Sequence, residues 1–145
     1  VNAKDDVSII RKNLVAGNYP IINITEKTGR DSVLAKGAKV RMAEPMANKF
    51  LQANNILKDK GIQLDIGDSF VRKDVKQESY DRWVAGGKIG AKVAPAERSF
   101  HTIGFAFDLD RTNPKMNSPE IAKVLKSVGL TAHEDEWWHW SLEEV

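Results

Sequence analysis

His101 and His139 lie in two short stretches, SFHTIGFAFD at 99–108 and EWWHW at 136–140, and are two of only three histidines in the chain. A hydrolytic zinc site takes three protein ligands drawn from His, Asp and Glu and leaves one position open for water. It also needs a base beside that water. These stretches can supply such a set: His101, Asp108 and His139 as ligands, with Glu136 as the base. Gly104 lets the backbone relax between His101 and the strand that presents Asp108. Glu136 and His139 are three apart, and a flat strand sends residues at that spacing to opposite faces. Both can serve one metal only if the backbone turns or bulges there, or if Glu136 lies in the loop before the strand. Asp110 rivals Asp108, because strand alternation puts both on one face. His133 is a poor ligand: in HEDEW a helical zinc motif would need a second histidine at 137, where Trp stands. Taken singly, each ligand candidate reads better as a polar residue hydrogen-bonded at a strand edge. It is the joint pattern that points to a metal.

The surrounding patterns predict the elements that must hold these residues. KDDVSIIRKNLVAG (4–17) reads as a helix with Asp5 or Asp6 as cap, Val7, Ile10 and Leu14 on one face, and Gly17 as stop. PIINI (20–24) reads as a short strand and TEKTGRD (25–31) as a polar loop. In EPMANKFLQANNILKDKG, Pro45 suits a first helical turn, Met46, Phe50 and Leu57 share a face, and Gly61 closes it. IQLDI (62–66) alternates as a half-buried strand. DVKQESYDRWVAGG (74–87) reads as a helix, and KIGAKVAPAER (88–98) as a loop leading into the strand of Phe105, Phe107 and Leu109. SPEIAKVLKSVG (118–129) is a compact helix with Ser118 as cap, Pro119 at its first position and Gly129 as stop. An aromatic-rich strand closes the chain. Helices and strands mix without βαβ regularity, which predicts an α+β class: a small antiparallel sheet flanked by helices.

Bulk properties set the frame. At 145 residues the chain suits one domain, 1–145, although its first forty or so residues carry no usable motif. With 41% hydrophobic and 29% charged residues it is not a disordered chain. A net charge of +2 with no Lys/Arg block argues against a nucleic-acid partner. No cysteine is present, which excludes a disulfide framework and thiolate zinc ligands. No apolar run approaches the ~20 residues of a membrane span, and no signal peptide opens the chain. The first residue is Val, so we expect further residues upstream.

Three elements in order carry a resemblance. S-x-H-x-x-G-x-A-x-D is met by Ser99, His101, Gly104, Ala106 and Asp108, and E-x-W-H by Glu136, Trp138 and His139. SFVRKDVKQ keeps Arg72 and Gln77 at the separation of a G-Y-R-S-x-x-x-Q segment. From residue 45 onward the chain thus resembles the D-Ala-D-Ala carboxypeptidase/dipeptidase family of zinc metallopeptidases, which includes vancomycin-resistance D,D-peptidases and phage endolysins. Phe70 and Val71 replace the usual Gly-Tyr, and Lys73 the following Ser or Pro, a departure that bears on substrate choice rather than on the metal.

The resemblance implies a zinc site on the sheet holding one Zn2+ ion through His101, Asp108 and His139. It makes Glu136 the base and then the acid, Arg72 the support of the oxyanion, and Ser99 and Gln77 substrate-binding residues. It selects Asp108 over Asp110. The implied partner is a peptidoglycan stem peptide, and the implied location is the cell envelope or the exterior, by way of the periplasm or a phage. We expect a monomer. D,D-carboxypeptidase or dipeptidase action is favoured by the EWWH wording. An L-Ala-D-Glu endopeptidase of endolysin type is one alternative, and a non-catalytic zinc module like the hedgehog signalling domains, which share this fold and metal site, is another. A metal-free structural domain is a third reading.

Overall fold

Met46, Ala47, Phe50, Ala53 and Leu57 recur at helical spacing, and all five are fully shielded from solvent. They form the inner face of the longest helix in the computed structural model, which describes residues 3–24, 40–70, 73–89, 95 and 99–144. In chain order the elements are helix α1 (Ala3–Ala16), strands β1 (Ile21–Asn23) and β2 (Arg41–Ala43), and helix α2 (Glu44–Asp59). Strand β3 (Ile66–Asp68), helix α3 (Lys73–Ala85), a 3-10 turn (Phe100–Ile103) and strand β4 (Ala106–Leu109) follow. A second 3-10 turn (Pro114–Met116), helix α4 (Pro119–Ser127), and strands β5 (Thr131–Ala132) and β6 (His139–Ser141) complete the set.

β1 and β2 form a two-stranded antiparallel ribbon, and the other four strands form an antiparallel sheet in the order β3-β4-β6-β5. This is the α+β class that the sequence predicts. One face of the sheet is apolar. Phe107, Leu109 and Trp140 point into a cluster built with α2 and with Ile121, Val124 and Leu125 of α4. The Phe50 and Phe107 rings meet edge to face at 5.1 Å and tie α2 to the middle of the sheet. Leu14, with the partly buried Val7 and Ile10, docks α1 on the same core.

Four expectations need correction. The strand predicted at 62–66 is observed at Ile66–Asp68. Leu64 and Ile66 are buried as alternation requires, but so is Asp65, whose N–H reaches Met116 Sδ at 3.3 Å. The segment 62–65 is irregular chain, tied to the end of β4 by the Asp110 N–H, which donates to the Asp65 carbonyl at 2.8 Å. α1 begins at Ala3, ahead of both predicted caps, so Asp5 and Asp6 lie inside its first turns. Ser118 stands at the N-cap of α4 without a side-chain capping bond, and Pro119 fills the first position as expected. Asp110 falls beyond the end of β4, and its carboxylate accepts from the Thr112 N–H and hydroxyl at 3.0 and 2.6 Å. The loop predicted at 25–31 and most of that at 88–98 lie outside the described residues.

Candidate metal centre

The opposite face of the sheet is polar. Asp108 on β4 pairs with His139 on β6 on one side and with Asp68 on β3 on the other. β5 pairs Ala132 with Trp140, so the next position sets His133 beside His139, and their rings meet edge-on at 5.5 Å. Asp68, Asp108, His139 and His133 therefore form one row across four strands. Asp68 joins this row only because the β3–β4 register shifts between Ile66 and Asp68. Without the bulge, residues two apart share a face, and Asp68 would follow Ile66 into the core.

His101 arrives from the 3-10 turn. Ser99 caps that turn, its Oγ accepting from the His101 N–H at 3.2 Å. Gly104 ends it in the left-handed region at φ 80°. A Cβ on Gly104 would lie 2.6 Å from Ile21 Cδ1 and 2.7 Å from the Ala43 nitrogen, whose N–H donates to the Gly104 carbonyl. Only glycine fits both the angle and the space. Arg11 of α1 holds the turn from outside: Nε donates to the Ser99 carbonyl at 3.2 Å and Nη2 to Thr102 Oγ1 at 2.9 Å. The motif-free N-terminal helix thus braces the segment that carries His101.

The His101 ring is 2.8 Å from the Ser69 carbonyl through Nδ1. A carbonyl can only accept, so Nδ1 carries hydrogen and Nε2 faces the site. Nε2 stands 3.1 Å, and His139 Nδ1 3.0 Å, from the same oxygen, Asp108 Oδ1. One ligand atom from each of the three residues lies within 4.8 Å of the others. Burial works to lower the His101 pKa, but the Asp108 charge and hydrogen bond, with help from Asp68 and the Ser69 carbonyl, push it up to about 9. Burial works to raise the Asp108 carboxyl pKa. The charge and hydrogen bond of His101, then the contacts with His139, outweigh it and hold that pKa well below the usual range.

This donor set fits zinc. Bonds of ~2.0–2.1 Å in a tetrahedron put ligand atoms roughly 3.3 Å apart, close to the spacing found between each imidazole and Asp108. Two imidazoles and one carboxylate suit Zn2+, and the Ser69 carbonyl orients one imidazole from behind, as metal-ligating histidines require. With three protein donors, a fourth position stays open.

Glu136 is half-buried in the loop before β6, and the His139 N–H donates to its carbonyl at 3.1 Å, closing a turn. That turn is the departure from a flat strand which the three-residue spacing demanded. The carboxylate is not among the three gathered donors. Ser99 is buried with its hydroxyl in the capping bond. Gln77 donates to Asp81 Oδ1 at 3.1 Å, one turn along α3. Arg72 lies outside the described residues. Asp68, Ser69 and Arg11 did not stand out in the sequence. Gly67 inside a strand was the one signal for the bulge that turns Asp68 toward the site.

The sequence matches no protein-family model and no curated protein. The fold, however, is that of a zinc-containing D,D-peptidase. A similar structure is that of the vancomycin-resistance D,D-pentapeptidase VanY of a VanB-type resistance cassette, solved as a point mutant in complex with Zn(II). The two chains are 18% identical, the match covers 77% of this chain and 76% of that one, and the TM-score is 0.55. The likeness agrees with the resemblance carried by the sequence motifs.

Proposed function

We propose that the chain, as one domain, is a zinc peptidase that hydrolyses a peptide bond in the stem peptide of bacterial peptidoglycan. The observation that carries this reading is the convergence of His101 Nε2 and His139 Nδ1 on Asp108 Oδ1. Three donors from three separate segments meet there on the polar face of a sheet. The shared fold with a zinc-bound D,D-pentapeptidase supports it. Among bond specificities, the D,D-carboxypeptidase or dipeptidase type is favoured over the endopeptidase type by EWWH at 136–139.

His101, Asp108 and His139 hold one ion, with the His101 ring fixed by Ser69. When bound, zinc supplies a Lewis acid that polarises the scissile carbonyl and acidifies the attacking water. Glu136 takes the proton from that water and delivers it to the leaving amine. Arg72 stabilises the charge that develops on the carbonyl oxygen. Gln77 contacts substrate carbonyl or carboxylate groups, while Ser99, buried with its hydroxyl in the cap of the 3-10 turn, serves by holding His101 in place. The setting is the cell envelope or the exterior, and the working unit is a monomer. Among the described residues, no helix is long and apolar enough to cross a membrane.

Glu136→Gln tests the mechanism. It should lower turnover of purified muropeptides by at least ~100-fold, the lower range of a general base's contribution, while zinc stays bound. Full activity in that variant would sink the mechanism. Zinc binding by the parent chain without any cleavage of muropeptides would favour the non-catalytic module. Mass spectrometry of the released fragments distinguishes exo- from endo-cleavage.

A further inference from the structure

We propose that Asp68 is a positioning residue that sets the affinity of the centre for a divalent cation, acting as a second carboxylate behind Asp108. This rests on the zinc reading above. Asp68 stands across β3–β4 from Asp108, and the register shift at Gly67 places it on the polar face. The bulge is a local disruption of the ladder, and its consequence here is to bring a carboxylate to the site.

The residue is also wired to the first ligand. Its Oδ1 accepts from the Ser69 N–H at 2.9 Å, and the Ser69 carbonyl accepts from His101 Nδ1 at 2.8 Å. Ser69 itself is buried, and its hydroxyl is held by the Arg41 N–H at 3.1 Å. One residue, Ser69, therefore links the Asp68 carboxylate to the orientation of the His101 ring through its N–H and its carbonyl. Burial drives the Asp68 carboxyl pKa up, the His101 charge opposes this, and the Asp108 charge adds to it. Two carboxylates side by side in a half-buried setting are poorly placed unless positive charge sits among them. A divalent ion held by two neutral imidazoles and Asp108 alone leaves the cluster with one positive charge, and Asp68 brings it to neutrality.

The test is the zinc dissociation constant of the full chain, measured by competition with a chromophoric chelator. Circular dichroism of each variant checks that it folds. Asp68→Asn keeps the shape and the acceptor for Ser69 but removes the charge, and should weaken zinc binding by ~10–100-fold. Asp68→Ala should weaken it at least as much, and it carries the test if the Asn variant folds poorly. An Asn variant that binds like the parent while the Ala variant binds weakly would overturn the role of charge and leave only a structural contact. Both variants binding like the parent would overturn the proposal outright, with the zinc site intact. A parent chain that takes up no zinc would overturn the metal reading and this inference together.

Discussion

His101 and Asp108 are coupled, and their coupling makes a prediction with a definite sign. The His101 pKa is raised from 6.5 to about 9 in the fold. In the metal-free protein its ion pair with Asp108 therefore stabilises fully below the unfolded value and is lost as pH rises through about 9. The Asp108 pKa is lowered from 3.8, so its contribution is present above that value and disappears as pH falls below it. The thermal midpoint of chelated protein should thus be highest between these limits and fall from neutral pH toward pH ~9–10. With excess zinc the alkaline side should gain instead, because binding requires deprotonated imidazole and releases protons. A chelated protein whose midpoint is flat from pH 7 to 10 would contradict the pairing. At this scale the gathering of His101, Asp108 and His139 was legible, because scarce histidines and an aspartate set beside apolar, aromatic runs stand out. Asp68 was not. Its facing depends on a register shift that pairwise alternation along one strand cannot reveal.

Elements matter here chiefly through the 3-10 turn, which sequence periodicity did not set apart from the strand that follows it. Its capping serine and closing glycine were both singled out in the sequence, but for substrate contact and backbone freedom. The structure shows Ser99 capping the turn and Gly104 ending it against β2. Gly104→Ala should destabilise the protein by ~2–5 kcal/mol, from left-handed strain of ~1–2 and overpacking of ~1–3. The same variant should weaken zinc binding, since His101 moves with the turn. Denaturant titration and a chelator competition check both effects, and parent-like values in each would refute the packing argument. The bracing of this turn by Arg11 could not be read from sequence: a lone arginine in an amphipathic helix gives no sign of what it will meet 88 residues later. The helices, by contrast, were readable from apolar spacing and from their Pro and Gly limits. Strand β3 begins at Ile66 and not at Ile62, and Asp65 is buried with bonds to Met116 and Asn113 where alternation alone puts it outside.

Across the molecule, one apolar cluster joins α1, α2 and α4 to a single face of the sheet, leaving the other face for chemistry. Phe107 and Asp108 are neighbours in sequence, yet one meets Phe50 in the core while the other meets both imidazoles. The core thereby fixes the height and direction of the polar row on the other face. The α+β class followed from the mixture of periods along the chain, but strand order did not. That His139 would pair with Asp108, and Asp68 with it in turn, depends on long-range contacts that local spacing does not encode. The central claim is that SFHTIGFAFD and EWWHW meet around one zinc ion. Metal analysis of the purified full chain, alongside His101→Ala and His139→Ala, tests it most directly. We predict one zinc per parent chain and loss of that zinc in either variant. A parent without zinc, or full zinc occupancy surviving in both variants, would contradict it.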